Sequence, residues 1–306
     1  MKYEGWICRA PMERASFMLP VAVGCSYNAC KFCTLFKHMT YRELQMEQIE
    51  EEIFRVKNAG GNPKRVFLGD GNAFGLDTEK LPKILEMIHE YFPGCEGVNM
   101  DATVTNIQEK SDEELCLLRE AGVQELYLGI ETGLDDVLEF MVKDHDLKQV
   151  YEAIERLHAV GLEYDSHMMT GIAGKGRGLE NAEALAKFYN ETKPRKICNF
   201  SLFLHREAPF YKDIRSGNYM PSDELENLME ERRLIELLEL EDVPYDGFHD
   251  FIGVRVRGTL PKDKDKMLAK LDKAIEELKN KKPLYSYVDG CCCELDLYEM
   301  TDPEYR

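Results

Sequence analysis

The sequence predicts an α/β fold: a partial (β/α)6 barrel of parallel strands with a C-terminal extension. Six short β-rich runs alternate with helical stretches through roughly the first 240 residues, and strands separated by helices pair in parallel through right-handed crossovers. Breakers and caps fall between the runs rather than inside them. Polar and glycine-rich motifs sit at the carboxyl ends of the runs, where parallel sheets hold their ligands.

The first strand is expected over 17–23, followed by a helix over 41–59 that Gly60-Gly61-Asn62-Pro63 stops. A second strand spans 65–68, and a helix over 78–91 closes at Pro93-Gly94. The third strand covers 97–103. The helix after it opens on Ser111-Asp112-Glu113-Glu114, a capping box in which Ser and Glu satisfy each other's amides, and runs to Gly122. The fourth strand covers 125–130, with helices over 134–141 and 147–160, the latter ended by Gly161. The fifth strand spans 162–170, a helix 179–192 and the sixth strand 197–203; helices over 222–239 and 262–279 complete the set. Beyond about residue 240 the rhythm breaks, so the expected division is a barrel over 1–240 and an extension over 241–306 with a helix and a cysteine-rich tail. There is no internal repeat and no low-complexity segment.

The chain has 306 residues, enough for one large domain or two small ones. Its 44% apolar and 31% charged content is that of a globular protein. A net charge of −18 disfavours nonspecific attraction to a phosphate backbone. The Lys-rich stretch 262–282 is laced with Asp and Glu and reads as a solvated helix face. No run of about 18 apolar residues exists to span a membrane. The opening Met1-Lys2-Tyr3-Glu4-Gly5-Trp6 lacks the apolar stretch of a signal peptide, so a cytoplasmic location is expected. Ten cysteines in that compartment are candidates for metal, redox or packing roles rather than a disulfide framework.

Three of them are concentrated in Gly24-Cys25-Ser26-Tyr27-Asn28-Ala29-Cys30-Lys31-Phe32-Cys33, a loop just past the first strand. Thiolates are the ligands of iron–sulfur clusters and of zinc. Three cysteines on a cubane leave one iron open to a small molecule. A zinc site needs a fourth ligand, which His38 or a distant residue would have to supply. Three merely packed cysteines are the remaining reading.

The Cys-x4-Cys-x2-Cys spacing, with aromatic Phe32 before the last cysteine, resembles a variant of the radical S-adenosylmethionine (radical SAM) motif, Cys-x3-Cys-x-aromatic-Cys. It is similar to a little-characterised bacterial subgroup reading Gly-Cys-Ser-His-Asn-x-Cys-x-Phe-Cys, with Tyr27 at the His position. The resemblance runs from about 19 to about 271. It implies a TIM-like partial barrel, a [4Fe–4S] cluster on Cys25, Cys30 and Cys33, and S-adenosyl-L-methionine (SAM) on its open iron. It also implies reductive cleavage of SAM to a 5′-deoxyadenosyl radical, with electrons from a donor such as flavodoxin or ferredoxin. Gly69, Asp70 and Gly71 after the second strand match the segment that binds the methionine amine. Glu131, in Gly129-Ile130-Glu131-Thr132-Gly133, matches a carboxylate that accepts from ribose hydroxyls or the amine. Gly171, in Thr170-Gly171-Ile172-Ala173-Gly174-Lys175-Gly176, matches the stretch that packs on adenine, although the family often has Glu where Gly176 stands. Phe32 falls on the cofactor side with these.

The segments expected near the substrate depart from the family pattern. Leu204-His205-Arg206-Glu207-Ala208-Pro209-Phe210-Tyr211 stands where relatives read Pro-Gly-Thr-Pro-Leu-Tyr, and Gly247-Phe248-His249-Asp250-Phe251 replaces Asn-His-Ala-Ser-Asn. A different substrate, a small molecule, is therefore expected, without nucleic acid or membrane as a partner. Strand alternation puts Asn199 with Ser201, and Asn99 with Asp101 and Thr103, on common faces as pocket candidates, each also readable as a structural hydrogen-bonding group. His167, His205 and Cys292 are the candidate catalytic groups, with Arg206 beside His205. Gly290-Cys291-Cys292-Cys293-Glu294 reads as a ligand set for an auxiliary cluster or metal, a thiol hydrogen-atom donor, a trap for a thiophilic substrate, or an incidental tail. The competing function is a non-catalytic iron–sulfur or zinc-binding scaffold or electron-transfer protein.

Overall fold

A computed structural model describes Glu4 and residues 8–288. The chain forms two compact units. Of the described residues, one holds those up to Ala29, Leu35–Gly129 and Lys148–Asp165; the other holds Cys30–Thr34, Ile130–Leu147 and those from Ser166 to 288. The cysteine triplet at 291–293, and with it Cys292, lies outside the described residues.

In the first unit the strands β1 (Phe17–Pro20), β2 (Arg65–Gly69), β3 (Gly97–Ala102) and β4 (Val123–Glu131, its last two residues counted with the second unit) lie in that order. Every pairing among them is parallel, with Pro20 opposite Gly69 and Phe67 opposite Asn99. The helices are α1 (Met46–Asn58), α2 (Lys80–Tyr91), α3 (Val104–Glu109) and α4 (Asp112–Glu120). β2 buries four residues in a row, the near-continuous apolar run of a parallel strand covered on both faces. Ile49 and Ile53 of α1 and Leu81, Ile84, Leu85 and Ile88 of α2 are fully buried at helical spacing. The expected capping box is formed: Ser111 accepts from Glu114 N at 3.2 Å, and Glu114 accepts from Ser111 N at 2.7 Å.

In the second unit β5 (Glu163–Thr170), β6 (Lys196–Ser201), β7 (Val243–His249) and β8 (Val254–Leu260) follow in order. Its helices are α5 (Asp135–Phe140), α7 (Gly178–Thr192), α8 (Tyr211–Ser216), α9 (Glu224–Leu237) and α10 (Lys264–Leu278), while α6 (Leu147–Ala159) belongs almost wholly to the first unit. An apolar cluster gathers Phe32, Met141, Ile172, Leu202, Phe210 and Tyr219. Among the described residues no helix is long and apolar enough to cross a membrane.

The mixed α/β class with largely parallel pairing is the one the alternation predicts. Four local readings change. The first strand stops at Pro20, and Ala22–Val23 instead pairs antiparallel with Arg42–Glu43. That pairing delays the helix expected from 41, which starts at Met46 behind a Gln45–Gln48 capping box. α3 went unread because its six residues are too short to show a period; Thr103 is its N-cap, accepting from Asn106 N at 3.2 Å. Past 240 the chain continues the sheet: β7 pairs parallel with β6 and antiparallel with β8. The alternation Val254-Arg255-Val256-Arg257 was the readable sign of β8.

Candidate functional site

In the first unit, the turn after β2 lies against the start of the cysteine loop. A Cβ on Gly71 would sit 2.8 Å from Cys25 Cβ, 2.8 Å from the Phe36 ring and 2.9 Å from Gly24 O. Only glycine permits that approach. Asn72 Nδ2 donates to Ser26 Oγ at 2.8 Å and to Asn106 Oδ1 at 2.5 Å, tying the turn to the loop that carries Cys25. Asn28 has φ +45°, a left-handed conformation that Asn tolerates, and its Nδ2 donates to Phe36 O at 2.8 Å.

Asp70 is buried and accepts from Cys8 N at 3.2 Å and Gly71 N at 3.0 Å. Burial outweighs those bonds and pushes its carboxyl up to about 6. Asp101, at the end of β3, is pushed up to about 7 by burial and by the carboxylates of Asp70 and Glu13. Asn99 is fully buried and donates to Glu13 Oε1 at 2.8 Å and Glu125 Oε2 at 3.2 Å. The Asn99, Asp101 and Thr103 set thus divides: Asn99 and Thr103 serve as a core link and a helix cap.

The second unit holds Cys30 and Cys33. Lys31 N donates to Met141 O at 2.9 Å, Phe210 N donates to Lys31 O at 3.2 Å, and Phe32 is buried in the apolar cluster. Lys31 Nζ lies 4.3 Å from the Phe140 ring centre. Burial pushes the Cys30 thiol up to about 11, with the Lys143 ammonium pulling the other way.

Glu131 ends β4 with φ +64°, a conformation that costs a non-glycine residue about 1–2 kcal/mol. Lys143 Nζ approaches its Oε1 at 3.3 Å, and Oε2 is buried with no hydrogen-bond partner among the described residues. Lys143 also lies 3.9 Å from Asp144 Oδ1. Burial works against the Lys143 charge, but Glu131, Cys30 and Asp144 together hold its pKa above the ordinary lysine value. Sequence reasoning missed Lys143.

Gly171 follows β5 with φ +85°, and its N–H donates to Glu230 Oε2 at 2.9 Å. Asn199 Nδ2 donates to Glu231 Oε1 at 3.0 Å and its Oδ1 accepts from Thr170 N at 3.1 Å; Ser201 Oγ donates to Glu224 Oε1 at 3.5 Å. These two pocket candidates face α9 as structural groups. The opposite face of β6 carries Phe200, which stacks on Phe248 at 5.6 Å and meets the edge of His167 at 5.4 Å; Arg255 lies 4.4 Å over Phe248. Burial, and then Lys143, push His167 down to about 4, so it is a neutral imidazole at pH 7. His205 lies on Leu204–His205, which pairs parallel with Tyr287–Val288, and Arg206 packs over Tyr287 at 5.8 Å.

Three thiols on one loop are the donor type an iron–sulfur cluster takes. In the second unit Cys30 is half-buried and feels the Lys143 charge, which would balance a thiolate there. In the first unit Gly71 packs closely against Cys25. Among the described residues no three His, Cys, Asp or Glu side chains gather tightly enough to hold a single metal ion.

Residues 19–189 match the model of the Radical SAM superfamily, more than half of the chain. The chain is 27% identical over 211 residues to the heme chaperone HemW of Bacillus subtilis (strain 168), covering 67% of this chain and 55% of that protein. It is 25% identical over 198 residues to heme chaperone HemW of Lactococcus lactis subsp. lactis (strain IL1403), covering 63% of this chain and 50% of that protein. It thus spans about half the length of these curated relatives. Among solved structures it resembles methylornithine synthase (PylB), with a TM-score of 0.53 and 14% identity over 90% of this chain and 70% of that one. At such identity the likeness speaks to the fold, the partial TIM-like barrel class expected from the alternation.

Proposed function

This chain belongs to the radical SAM superfamily, and from that premise we propose that it cleaves SAM reductively at a [4Fe–4S] cluster held by Cys25, Cys30 and Cys33. The observation that carries the reading is the fit between Cys25 and the glycine turn after β2, where Gly71 approaches the cysteine loop as no other residue could. When bound, the cluster and SAM supply a 5′-deoxyadenosyl radical able to remove hydrogen from an unreactive C–H bond. The chain's own groups bind and orient. The Gly69-Asp70-Gly71 turn takes the methionine amine, with Asp70 as acceptor. Glu131 offers its unpartnered Oε2 to the ribose or amine. Gly171 gives the adenine a backbone surface, and Phe32 anchors the loop between its two later ligands.

The substrate is a small molecule, and electrons come from flavodoxin or ferredoxin. His167, neutral and edge-on to Phe200, is the base candidate this reading retains; His205 is the second. Anaerobically reconstituted protein is expected to hold about four irons per chain and to form 5′-deoxyadenosine from SAM and dithionite. Cys33→Ala should lose both. Protein that holds zinc and leaves SAM intact would sink the reading.

A second reading is favoured by the names of the curated relatives, both heme chaperones. In it the cluster and SAM site serve heme handling rather than substrate turnover. Hemin titration tests it: a stoichiometric shift of the heme absorbance band supports this reading, and an unchanged band overturns it.

A further inference from the structure

Two turns of the second unit, at the ends of β4 and β5, are bound to the same buried pair on α7 and α9. Asn181 Oδ1 accepts from Thr132 Oγ1 at 2.6 Å and from Gly133 N at 3.1 Å. Asn181 Nδ2 donates to Glu230 Oε1 at 2.7 Å, and Glu230 Oε2 accepts from Gly171 N at 2.9 Å. Both side chains are 0% exposed. The turns also press against the helices. A Cβ on Gly133 would lie 2.7 Å from Ala184 C and Leu185 N, and one on Gly171 would lie 2.6 Å from Asn227 Oδ1. Two polar atoms on these turns, Glu131 Oε2 and Thr170 Oγ1, are buried without a hydrogen-bond partner among the described residues.

We propose that Glu230 and Asn181 are a positioning pair that sets the Thr132–Gly133 and Thr170–Gly171 turns for the nucleoside end of SAM, and that ionised Glu230 does so more tightly than the neutral acid. The inference rests on the SAM reading above. Both groups facing Glu230 are donors, so a carboxylate accepts both bonds with charge assistance. A carboxylic acid keeps acceptor capacity but loses that assistance, and an O–H aimed at either donor breaks that bond. Flipping the Asn181 amide to accept the O–H would turn its NH2 towards the Gly133 N–H, moving the conflict to the other turn.

Burial pushes Glu230 up to about 7, against the bonds from Gly171 N and Asn181 and the His249 charge, which hold it down. His249 stays a cation across that range. Burial opposes its charge, but Glu231 and Glu224 hold it up at about 10. Tyr219, whose hydroxyl donates to Gly171 O at 2.7 Å, is kept neutral by burial. Glu231 is the remaining carboxylate that Glu230 feels.

The probe is 5′-methylthioadenosine, which keeps the nucleoside of SAM and lacks its titrating amine. Its affinity for the reconstituted protein, measured by equilibrium dialysis, is expected to weaken about tenfold from about pH 8 to about pH 6, the worth of one charge-assisted hydrogen bond. Glu230→Gln should bind weakly at every pH with no such limb. An unvarying affinity in the unsubstituted protein overturns the inference, and that arm needs no variant to fold. Equal binding and an equal limb in Glu230→Gln also overturn it. Production of 5′-deoxyadenosine from SAM, measured in parallel, decides the SAM reading itself, so the two can fail separately. A protein that cleaves SAM without a pH limb for the nucleoside sinks only the positioning pair.

Discussion

Lys143 Nζ lies 3.3 Å from Glu131 Oε1, with both side chains 8% exposed. The pair couples a backbone held at φ +64° to a buried charge, so the carboxylate at the end of β4 is fixed by its backbone and by its partner. Breaking a buried pair on one side leaves the other charge uncompensated and costs about 3–5 kcal/mol. Lys143→Met should therefore lower stability by about that much in a denaturant titration. The double variant Lys143→Met, Glu131→Gln should recover most of it, since neither member of the 3.3 Å pair then carries a charge. Equal losses in the single and double variants would show that Lys143 acts through packing and not through charge.

His249 gives a pH-dependent test. Its Nε2 lies 2.9 Å from Glu231 Oε2 and its Nδ1 3.5 Å from Glu224 Oε2, with the ring fully buried. Those carboxylates overcome burial and raise it from 6.5 to about 10. A raised folded-state pKa means the folded protein holds the proton more tightly than the unfolded chain. The stabilisation is complete below the unfolded value and is lost as pH rises through about 10. The melting-temperature gap between the native protein and His249→Gln should narrow between about pH 8 and about pH 10.5. A gap constant across that window rules out a charged His249.

The opposite sign applies to Asp101, which burial and the Asp70 and Glu13 carboxylates raise from 3.8 to about 7. Here the folded state prefers the neutral acid, so the ionised group destabilises increasingly as pH rises from the unfolded value through about 7. Asp101→Asn should be more stable than the native protein at about pH 8, by about 1–3 kcal/mol, and equal to it near about pH 4. A variant less stable at both pH values would mean that the carboxylate makes a bond which the amide cannot replace.

The strands from Arg65 to Ser201, the capping box and the glycine turns were legible because each is written in adjacent residues. Gly71 illustrates it: the Gly-Asp-Gly run after a strand marks a close approach, although only the fold shows that Cys25 is what it approaches. Lys143 and Glu230 were illegible for a common reason. In Met141-Val142-Lys143-Asp144 and Met229-Glu230-Glu231-Arg232-Arg233 nothing in the local sequence marks one charged residue as internal; what buries Lys143 and Glu230 is contact with residues remote in sequence. Glu224, Asn227, Glu230 and Glu231 do recur on one side of α9, but spacing alone cannot say whether a polar stripe meets water or a buried imidazole. Asn199 and Ser201 show the same limit. Alternation put them on one face correctly, and the structure shows that face meeting α9.

Gly171 separates backbone strain from close approach. Gly60 and Gly171 have nearly equal φ, +82° and +85°, but a Cβ on Gly60 meets nothing within 4 Å whereas one on Gly171 lies 2.6 Å from Asn227 Oδ1. Gly60→Ala should cost only the left-handed penalty, about 1–2 kcal/mol, and leave nucleoside binding intact. Gly171→Ala adds an overlap with Asn227, whose amide donates to Ser201 Oγ at 3.1 Å and so cannot swing away without losing that bond. Overpacking of this kind adds about 1–3 kcal/mol. The turn would move, lengthening the 2.9 Å bond from Gly171 N to Glu230. The expected signature is a larger stability loss than in Gly60→Ala together with weakened 5′-methylthioadenosine binding. Equal stability losses in the two variants would mean that Asn227 yields, and that the turn after β5 is set by its φ alone.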